Sequence, residues 1–520
     1  MSFRGIDTTV TQIRRRVFSE VARVAYANVK GETADKMLRQ IPYNIVPGEV
    51  GKLRRDIFLE RAIVEERVRL AMGLPVRRID EQNSPTAGVD AATTAHKYYE
   101  PPLINVIKFA CNSCPEKEIK ITSSCQGCLA HPCMEVCPKN AITWQAGRSV
   151  INPDLCIKCG RCVGVCPYNA IIKNERPCAA SCGMNAIKSD ALGRADIDYS
   201  KCVSCGQCLV NCPFGAISDK GQIYQLIQSF NRGDRVYALL APAFVSQFPQ
   251  LASTGKLRAA LKKIGFWDTV EVAIGADLCT VDEAKDFMEE VPAEKPFMAT
   301  SCCPAWSMMA KTMFPDQASN ISMAMTPMVF IARMLKKADP DARMCFIGPC
   351  AAKKLEAARR TVRSDVSFVL TYEELAGVME ACNLDYDALD VDIEELNKAS
   401  AAGRGFAMSG GVAKAVADKI HEWEPDREVK IAAAQGLAEC KKLMMLAKAG
   451  KYNGYLLEGM ACPGGCIGGA GTIADPAKAA IALTKYAKSA PFSDPQENPF
   501  IRNIRFLKED LPELGLPGEY

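Results

Sequence analysis

The sequence predicts an α/β domain over residues 221–490, preceded by small α+β modules over 106–220, a helical region over 1–105, and followed by a tail at 491–520. Three observations predict it. After Asp219, short apolar runs ending in Gly, Pro and Cys alternate with helical patterns, as the elements of an α/β sheet do. Sixteen of the 25 cysteines fall between Cys111 and Cys212, at repeated short spacings. The first 80 residues hold no cysteine and carry apolar residues at three-to-four spacing. At 520 residues the chain has room for a large core and several domains. A net charge of +4 is too near neutral to argue for nucleic acid. No signal-peptide pattern and no run of about 18 apolar residues is present, so neither export nor a membrane span is expected. Repeated C-x-x-C in a chain this long reads as metal binding in a reducing cytoplasm, not as disulfides.

Val10–Val29 and Leu53–Met72 are predicted amphipathic helices. Arg14, Arg15 and Arg16 suit either a dock for an acidic electron carrier or, the weightier reading, a solvated helix face. Residues 80–102, from Asp80 to Pro101-Pro102, read as a linker. Nothing in residues 1–105 assigns a function.

The cysteine-rich segment repeats one unit. Cys156, Cys159, Cys162, Cys166 and Pro167 are echoed by Cys202, Cys205, Cys208, Cys212 and Pro213. In two-cluster ferredoxins three cysteines of such a run hold one 4Fe-4S cubane and the fourth reaches the other. A stretched copy, Cys125, Cys128, Cys133 and Cys137, pairs with the first run. One cubane would then use Cys125, Cys128, Cys133 and Cys166, the other Cys137, Cys156, Cys159 and Cys162. Cys111, Cys114, Cys178 and Cys182 remain beside the Cys202 run. They complete a nested second module, with cubanes on Cys182, Cys202, Cys205 and Cys208 and on Cys111, Cys114, Cys178 and Cys212. This order resembles the four-cluster electron-transfer subunits of molybdenum oxidoreductases, although Gly183 stands where proline is expected. Structural zinc is the minor alternative for these cysteines. His131, inside the stretched run, reads as an exposed loop histidine in preference to a ligand; His96 and His421 carry no signal.

Past Asp219, Val236–Ala243 reads as a buried strand running into a small-residue loop. Helices are expected over 256–264, 282–291, 372–382, 391–400, 411–421 and 432–448. Three more apolar runs, Pro296–Ala299, Met344–Ile347 and Tyr455–Leu457, each lead into a cysteine loop. The loops are Thr300-Ser-Cys-Cys-Pro-Ala-Trp306, Gly348-Pro-Cys-Ala-Ala-Lys-Lys-Leu-Glu356 and Met460-Ala-Cys-Pro-Gly-Gly-Cys-Ile-Gly-Gly-Ala470. Strand ends are where chemistry collects in open α/β sheets, so the three are expected to converge. Their thiolates suit a soft metal or an iron–sulfur cluster.

This trio resembles the three active-site signatures of FeFe hydrogenases, TSCCPxW, PCxxKxxE and MACxxGCxxG, over roughly residues 235–475. The resemblance implies an H-cluster, a 4Fe-4S cubane bridged by a cysteine sulfur to a diiron unit carrying CO, cyanide and an azadithiolate. It implies Cys303, Cys350, Cys462 and Cys466 as cubane ligands, with Cys466 bridging, and Cys302 as the proton-relay thiol. By the same resemblance Pro242, Ala243 and Met460 wall the cofactor, and Lys353 brings its ammonium to the cyanide; the plain alternative for Lys353 is a surface lysine like Lys354. Glu283, Ser322 and Asp286 follow Cys302 on the implied proton route. Aspartate at 286 and Glu290 depart from the family's usual glutamate and arginine, which leaves the outer route open. Glu283 also reads as part of a capping box with Thr280. Glu356 reads either as support behind the residues that touch the cofactor or as the plain partner of a basic neighbour. Gly348 in place of methionine, Ala305 in place of glycine, and Gly468-Gly469-Ala470 resemble the group B branch. Cys279, Cys345, Cys382 and Cys440 lie outside the motifs and read as core filler.

The expectation is thus an α/β H-cluster domain behind ferredoxin-like modules with four 4Fe-4S clusters, in the cytoplasm of an organism suited to oxygen-sensitive clusters. Reversible H2 chemistry is expected, with ferredoxin or a similar low-potential carrier and hydrogenase maturation proteins as partners. The rivals are a non-catalytic iron–sulfur assembly protein and an H2 sensor.

Overall fold

The computed structural model describes residues 4–96, 101–251, 253–359, 362, 364–391 and 398–502. Three helices open the chain. Thr9–Tyr26 starts where the Thr8 hydroxyl accepts the Thr11 N–H, and Ile57–Ala71 starts where Asp56 accepts from Phe58 and Leu59. Between them lies Gly31–Ile45, which sequence reading left out. Its Ala34, Leu38, Ile41 and Ile45 are buried at three-to-four spacing, a stripe that Pro42 at the fourth turn obscured. These helices are part of the main core. Val17, Val21, Leu38, Ile41, Val64 and Val68 pack in one cluster with Ile223, Leu226, Ile227, Val236 and Ala238. Arg14 is neither a solvated residue nor a docking one: it is buried and pairs with Glu373 at 2.9 Å. Arg16 donates to the carbonyls of Asn44 and Ile45. The described part of the expected linker is tied down. Arg69 donates to the carbonyls of Pro75, Pro85 and Ala87, and Gln225 to that of Ala92.

The cysteine-rich segment is built of four short antiparallel ribbons, nested as the cysteines are. Ile104–Val106 pairs with Ile217–Asp219, Glu118–Ile121 with Ile171–Asn174, Ile142–Gln145 with Arg148–Ile151, and Ile187–Ser189 with Ala195–Ile197. Each ribbon is too short to stand alone.

Two parallel sheets follow. One has the strand order Asp268–Glu271, Val236–Leu240, Arg343–Gly348, Phe368–Thr371. The other has the order Met298–Ala299, Tyr455–Met460, Lys430–Gln435. The strand residues Ala238, Leu239, Ile347, Val369, Leu456 and Leu457 are fully buried, which is why they read as apolar runs without alternation. Two expectations are corrected here. The helix expected over 282–291 spans Ala273–Glu290, and Thr280 lies inside it with its hydroxyl on the Ala276 carbonyl, so Thr280 caps nothing. The first residues of 432–448 belong to the strand Lys430–Gln435, and the helix begins only at Leu437. Most of the helix expected over 391–400, and the tail from 503, lie outside the described residues. The described tail is anchored where Asn498 donates to the buried Asp277 carboxylate at 2.7 Å. Among the described residues no helix is long and apolar enough to cross a membrane.

Candidate functional site

The three cysteine loops leave strands of both sheets and meet in one cavity. Its lining includes Cys302, Cys303, Cys350, Lys353, Cys462 and Cys466, walled by Pro242, Ala243 and Met460. Cys303 sits at the N-terminal end of the helix Pro304–Met313 and its sulfur accepts the Ala461 N–H at 3.5 Å, joining the first loop to the third. Burial pushes the Cys303, Cys462 and Cys466 thiols up, and Cys350 to about 12. Four thiols forced together in an apolar wall resist ionisation unless a cationic centre takes their sulfurs. That donor set fits an iron–sulfur cubane. Gly348 has a local reason: a side chain there would run into the Phe346 ring, with Cβ 2.4 Å from the nearest ring carbon. Phe346 thus occupies the wall that a larger residue 348 would fill.

Lys353 is 8 % exposed and faces this cavity, so the surface-lysine alternative is set aside. Its Nζ lies 2.6 Å from Glu356 Oε2 and donates to Thr326 Oγ1, whose hydroxyl donates to Glu356 Oε1 at 2.7 Å. Burial works against the Lys353 ammonium, but Glu356 more than offsets it and holds the pKa above the ordinary lysine value. The comparison lysine is not at the surface either. Lys354 is buried between Asp219 at 2.7 Å and Glu374 at 2.8 Å, and so joins the end of the iron–sulfur segment to the α/β domain.

Behind Cys302 stands a polar chain. Glu283 is fully buried; its Oε1 accepts the Ser301 N–H at 3.4 Å and its carboxyl is hydrogen-bonded to Ser322. Burial raises the Glu283 pKa to about 8 against those two bonds, so the group holds its proton near neutrality. Burial and the neighbouring Glu283 also keep Cys302 a neutral thiol. Asp286 follows one turn later on the same helix and is half-buried, while Glu290 is taken by Lys295 at 2.6 Å. Cys279, Cys345 and Cys440 are fully buried and Cys382 half-buried.

In the first module one small pocket is lined by Cys125, Cys128, Cys133 and Cys166, and another by Cys137, Cys156, Cys159 and Cys162. In the second, Cys111 and Cys212 stand near Cys114 and Cys178, and Cys182, Cys202 and Cys205 near Cys208. The same turn closes all four runs. The sulfurs of Cys137, Cys166, Cys182 and Cys212 accept the N–H four residues on, at 3.3–3.4 Å. The residue before each donor, Asn140, Asn169, Asn185 or Gly215, is left-handed. Cys182 obeys this rule without its proline, and the structure shows why Gly183 is there. A Cβ on Gly183 would lie 2.6 Å from Leu437 Cβ and 2.7 Å from the Ala438 nitrogen. Among the described residues no three His, Cys, Asp or Glu side chains close to the spacing one metal ion needs, as a zinc site would. His131 is not the exposed residue expected: it is half-buried with its ring edge-on to Trp144 at 4.6 Å. Cys205 also lines the main cavity and stands near Cys350, so the second module touches the site directly.

Residues 234–470 match the family described as iron only hydrogenase large subunit, C-terminal domain, and residues 149–172 and 195–218 match the 4Fe-4S binding domain. The chain is 28 % identical to the NADP-reducing hydrogenase subunit HndD of Solidesulfovibrio fructosivorans, over 69 % of this chain and 64 % of that protein. It is 26 % identical to iron hydrogenase 1 of Clostridium pasteurianum, over 71 % of this chain and 73 % of that one. It is also 24 % identical to the nuclear prelamin A recognition factor of Xenopus laevis, over 48 % of this chain and 67 % of that one.

Proposed function

From the match of residues 234–470 to the iron only hydrogenase large subunit family, with an iron–sulfur region ahead of them, we propose that this hydrogenase-like chain is a working FeFe hydrogenase of group B type. The reaction is 2 H⁺ + 2 e⁻ in reversible exchange with H2. One observation carries the reading: four loop cysteines, a thiol that is not among the four proposed ligands, and a buried lysine meet in a single apolar cavity.

Cys303, Cys350, Cys462 and Cys466 would hold the H-cluster, Cys466 by the bridging sulfur. When bound, that cofactor supplies the iron chemistry that makes and cleaves the H–H bond. The chain supplies the rest. Lys353, steadied by Glu356 and Thr326, would offer an ammonium to the cofactor's anionic cyanide. Pro242, Ala243 and Met460 exclude water. Cys302 presents a neutral thiol at the cavity wall, which can carry a proton without bringing a fixed charge into a dry site. Glu283, held by the Ser301 N–H and Ser322, is the next proton station, and Asp286 continues outward along its helix. Cys182, Cys202, Cys205 and Cys208 would hold the 4Fe-4S cubane nearest the cavity and the other twelve cysteines of the segment three more, groups that would supply one-electron transfer. The external carrier is ferredoxin or a similar low-potential protein, the compartment is the cytoplasm, and maturation proteins deliver the diiron unit.

The test is gas chromatography for H2 from matured protein supplied with reduced viologen. H2 evolution is expected. Protein that shows the cofactor's CO and cyanide infrared bands but evolves and consumes no H2 would favour the second reading, a non-catalytic iron–sulfur protein. The similarity to nuclear prelamin A recognition factor, which is not named as a hydrogenase, is what keeps that reading in view.

A further inference from the structure

The N-terminal helices reach one of the cubane sites with charge. Arg67, on the helix Ile57–Ala71, is 6 % exposed, and its Nη2 donates to the carbonyl of Gly215, three residues after Cys212. Its Nε and Nη1 are buried and meet no hydrogen-bond acceptor among the described residues. Arg54, just before the same helix, donates to the carbonyls of Ala110 and Phe214, beside the loops of Cys111 and Cys212. Arg176 is 4 % exposed and donates to the carbonyls of Cys114, Lys188 and Gly193. Three guanidinium groups therefore grip the loops carrying Cys111, Cys114 and Cys212. The site next to the cavity has a different setting: Cys208 is surrounded by Cys205, Cys202, Cys182 and Cys178.

A buried cation with idle donors is costly unless an anion faces it. Arg67 has the cations Arg14 and Arg54 beside it as well as Cys212 and the carboxylate of Glu373, and Glu373 is already engaged by Arg14 at 2.9 Å. Burial lowers the Arg67 pKa only to about 10, so the charge persists at neutral pH. A thiolate-ligated cubane is an anion and gains a further negative charge on reduction. A fixed cation beside it therefore favours the reduced form.

We propose that Arg67 sets the reduction potential of the cubane held by Cys111, Cys114, Cys178 and Cys212, raising it above those of the other N-terminal cubanes. This makes the N-terminal helical region a working part of the electron chain. The site is well placed for it. Strands Glu118–Ile121 and Ile171–Asn174, which carry the first module, run out of the Cys114 loop and back towards Cys178. An electron resting there waits between the outer module and the site that touches the cavity. The inference rests on the cubane assignment proposed above and not on H2 turnover.

The test is a redox titration followed by electron paramagnetic resonance, on the full-length chain reconstituted with iron and sulfide. One cubane of the wild type should reduce at a higher potential than the others, and Cys114→Ser should alter that same signal. Arg67→Gln keeps a donor for the Gly215 carbonyl but loses the charge. It should lower that potential by at least about 59 mV, a tenfold loss of electron affinity for a one-electron couple. Arg67→Lys keeps the charge and should move it less than half as far. An unmoved potential in Arg67→Gln with full iron content would overturn the proposal. So would equal shifts in both variants, or loss of the cubane from both, because Arg67 would then only hold the loop.

Discussion

In three of the four candidate cubane sites of the iron–sulfur modules, three cysteines come from one short stretch, while Cys111, Cys114, Cys178 and Cys212 are drawn from three stretches. In the main cavity Cys303, Cys350 and Cys462 arrive on loops more than forty residues apart, from strands of two different sheets. The modules repeat a local device, a sulfur accepting the N–H four residues on after a left-handed Asn or Gly. The cavity has no such repeat; its loops are held by contacts such as that of the Ala461 N–H with Cys303, and by the packing of Phe346 against Gly348. A site closed by its own loop tolerates a changed surrounding, as Gly183 shows at the helix starting at Leu437. A site assembled from distant loops depends on the core that brings them together.

The comparison is broken most severely at Cys466. Replacing it with Ser should abolish the CO and cyanide infrared bands while the module cubanes keep their reduced paramagnetic signals. A retained native infrared spectrum would show that another cysteine bridges. Cys302→Ala should leave both cofactor bands and iron content nearly intact but cut H2 turnover per cofactor by ~10²–10⁴-fold, the usual contribution of a general acid–base group. Turnover near wild type after normalising to the infrared-quantified cofactor would make Cys302 a packing residue. Lys354→Met tests the join between the two regions. It leaves Glu374 buried without its cation and Asp219 with only Arg14 at 3.9 Å, and should destabilise the chain by about 3–5 kcal/mol in denaturant titration, with the infrared bands unmoved. A loss below about 1 kcal/mol would show that the join is held by packing alone.

The smallest effect is a pH dependence at Glu283. Its pKa is raised from 4.5 to about 8 by burial, so the folded chain binds a proton that the unfolded chain has released. That contribution is full below the ordinary value and is lost as pH rises towards about 8. Between about pH 6 and about pH 7 the wild type should lose about 1.4 kcal/mol relative to Glu283→Gln. Parallel stability curves for the two proteins would mean that Glu283 is ionised in the fold.

Sequence alone determined the features whose chemistry is local. The spacing of the cysteine runs groups Cys125, Cys128, Cys133 and Cys166, and Cys137, Cys156, Cys159 and Cys162, and one small pocket is lined by each of these groups. The buried strands of 343–348 and 455–460 showed as unbroken apolar runs, because both faces of a parallel sheet are covered. Only the tertiary structure decided what depends on neighbours far along the chain. Thr280 and Glu283 match a capping box in sequence, yet both lie within a helix buried on most sides, and the pattern is coincidental. Arg14 and Lys354 looked solvated because basic residues usually are; their partners, Glu373 and Asp219, lie more than a hundred residues away. Residues 430–435 turned to strand because the neighbouring strand Tyr455–Met460 offered a parallel ladder, which outweighs the helical preference of three alanines. Charge pairing, burial and ladder formation are contact properties, and contacts between remote segments leave no spacing in the sequence to read.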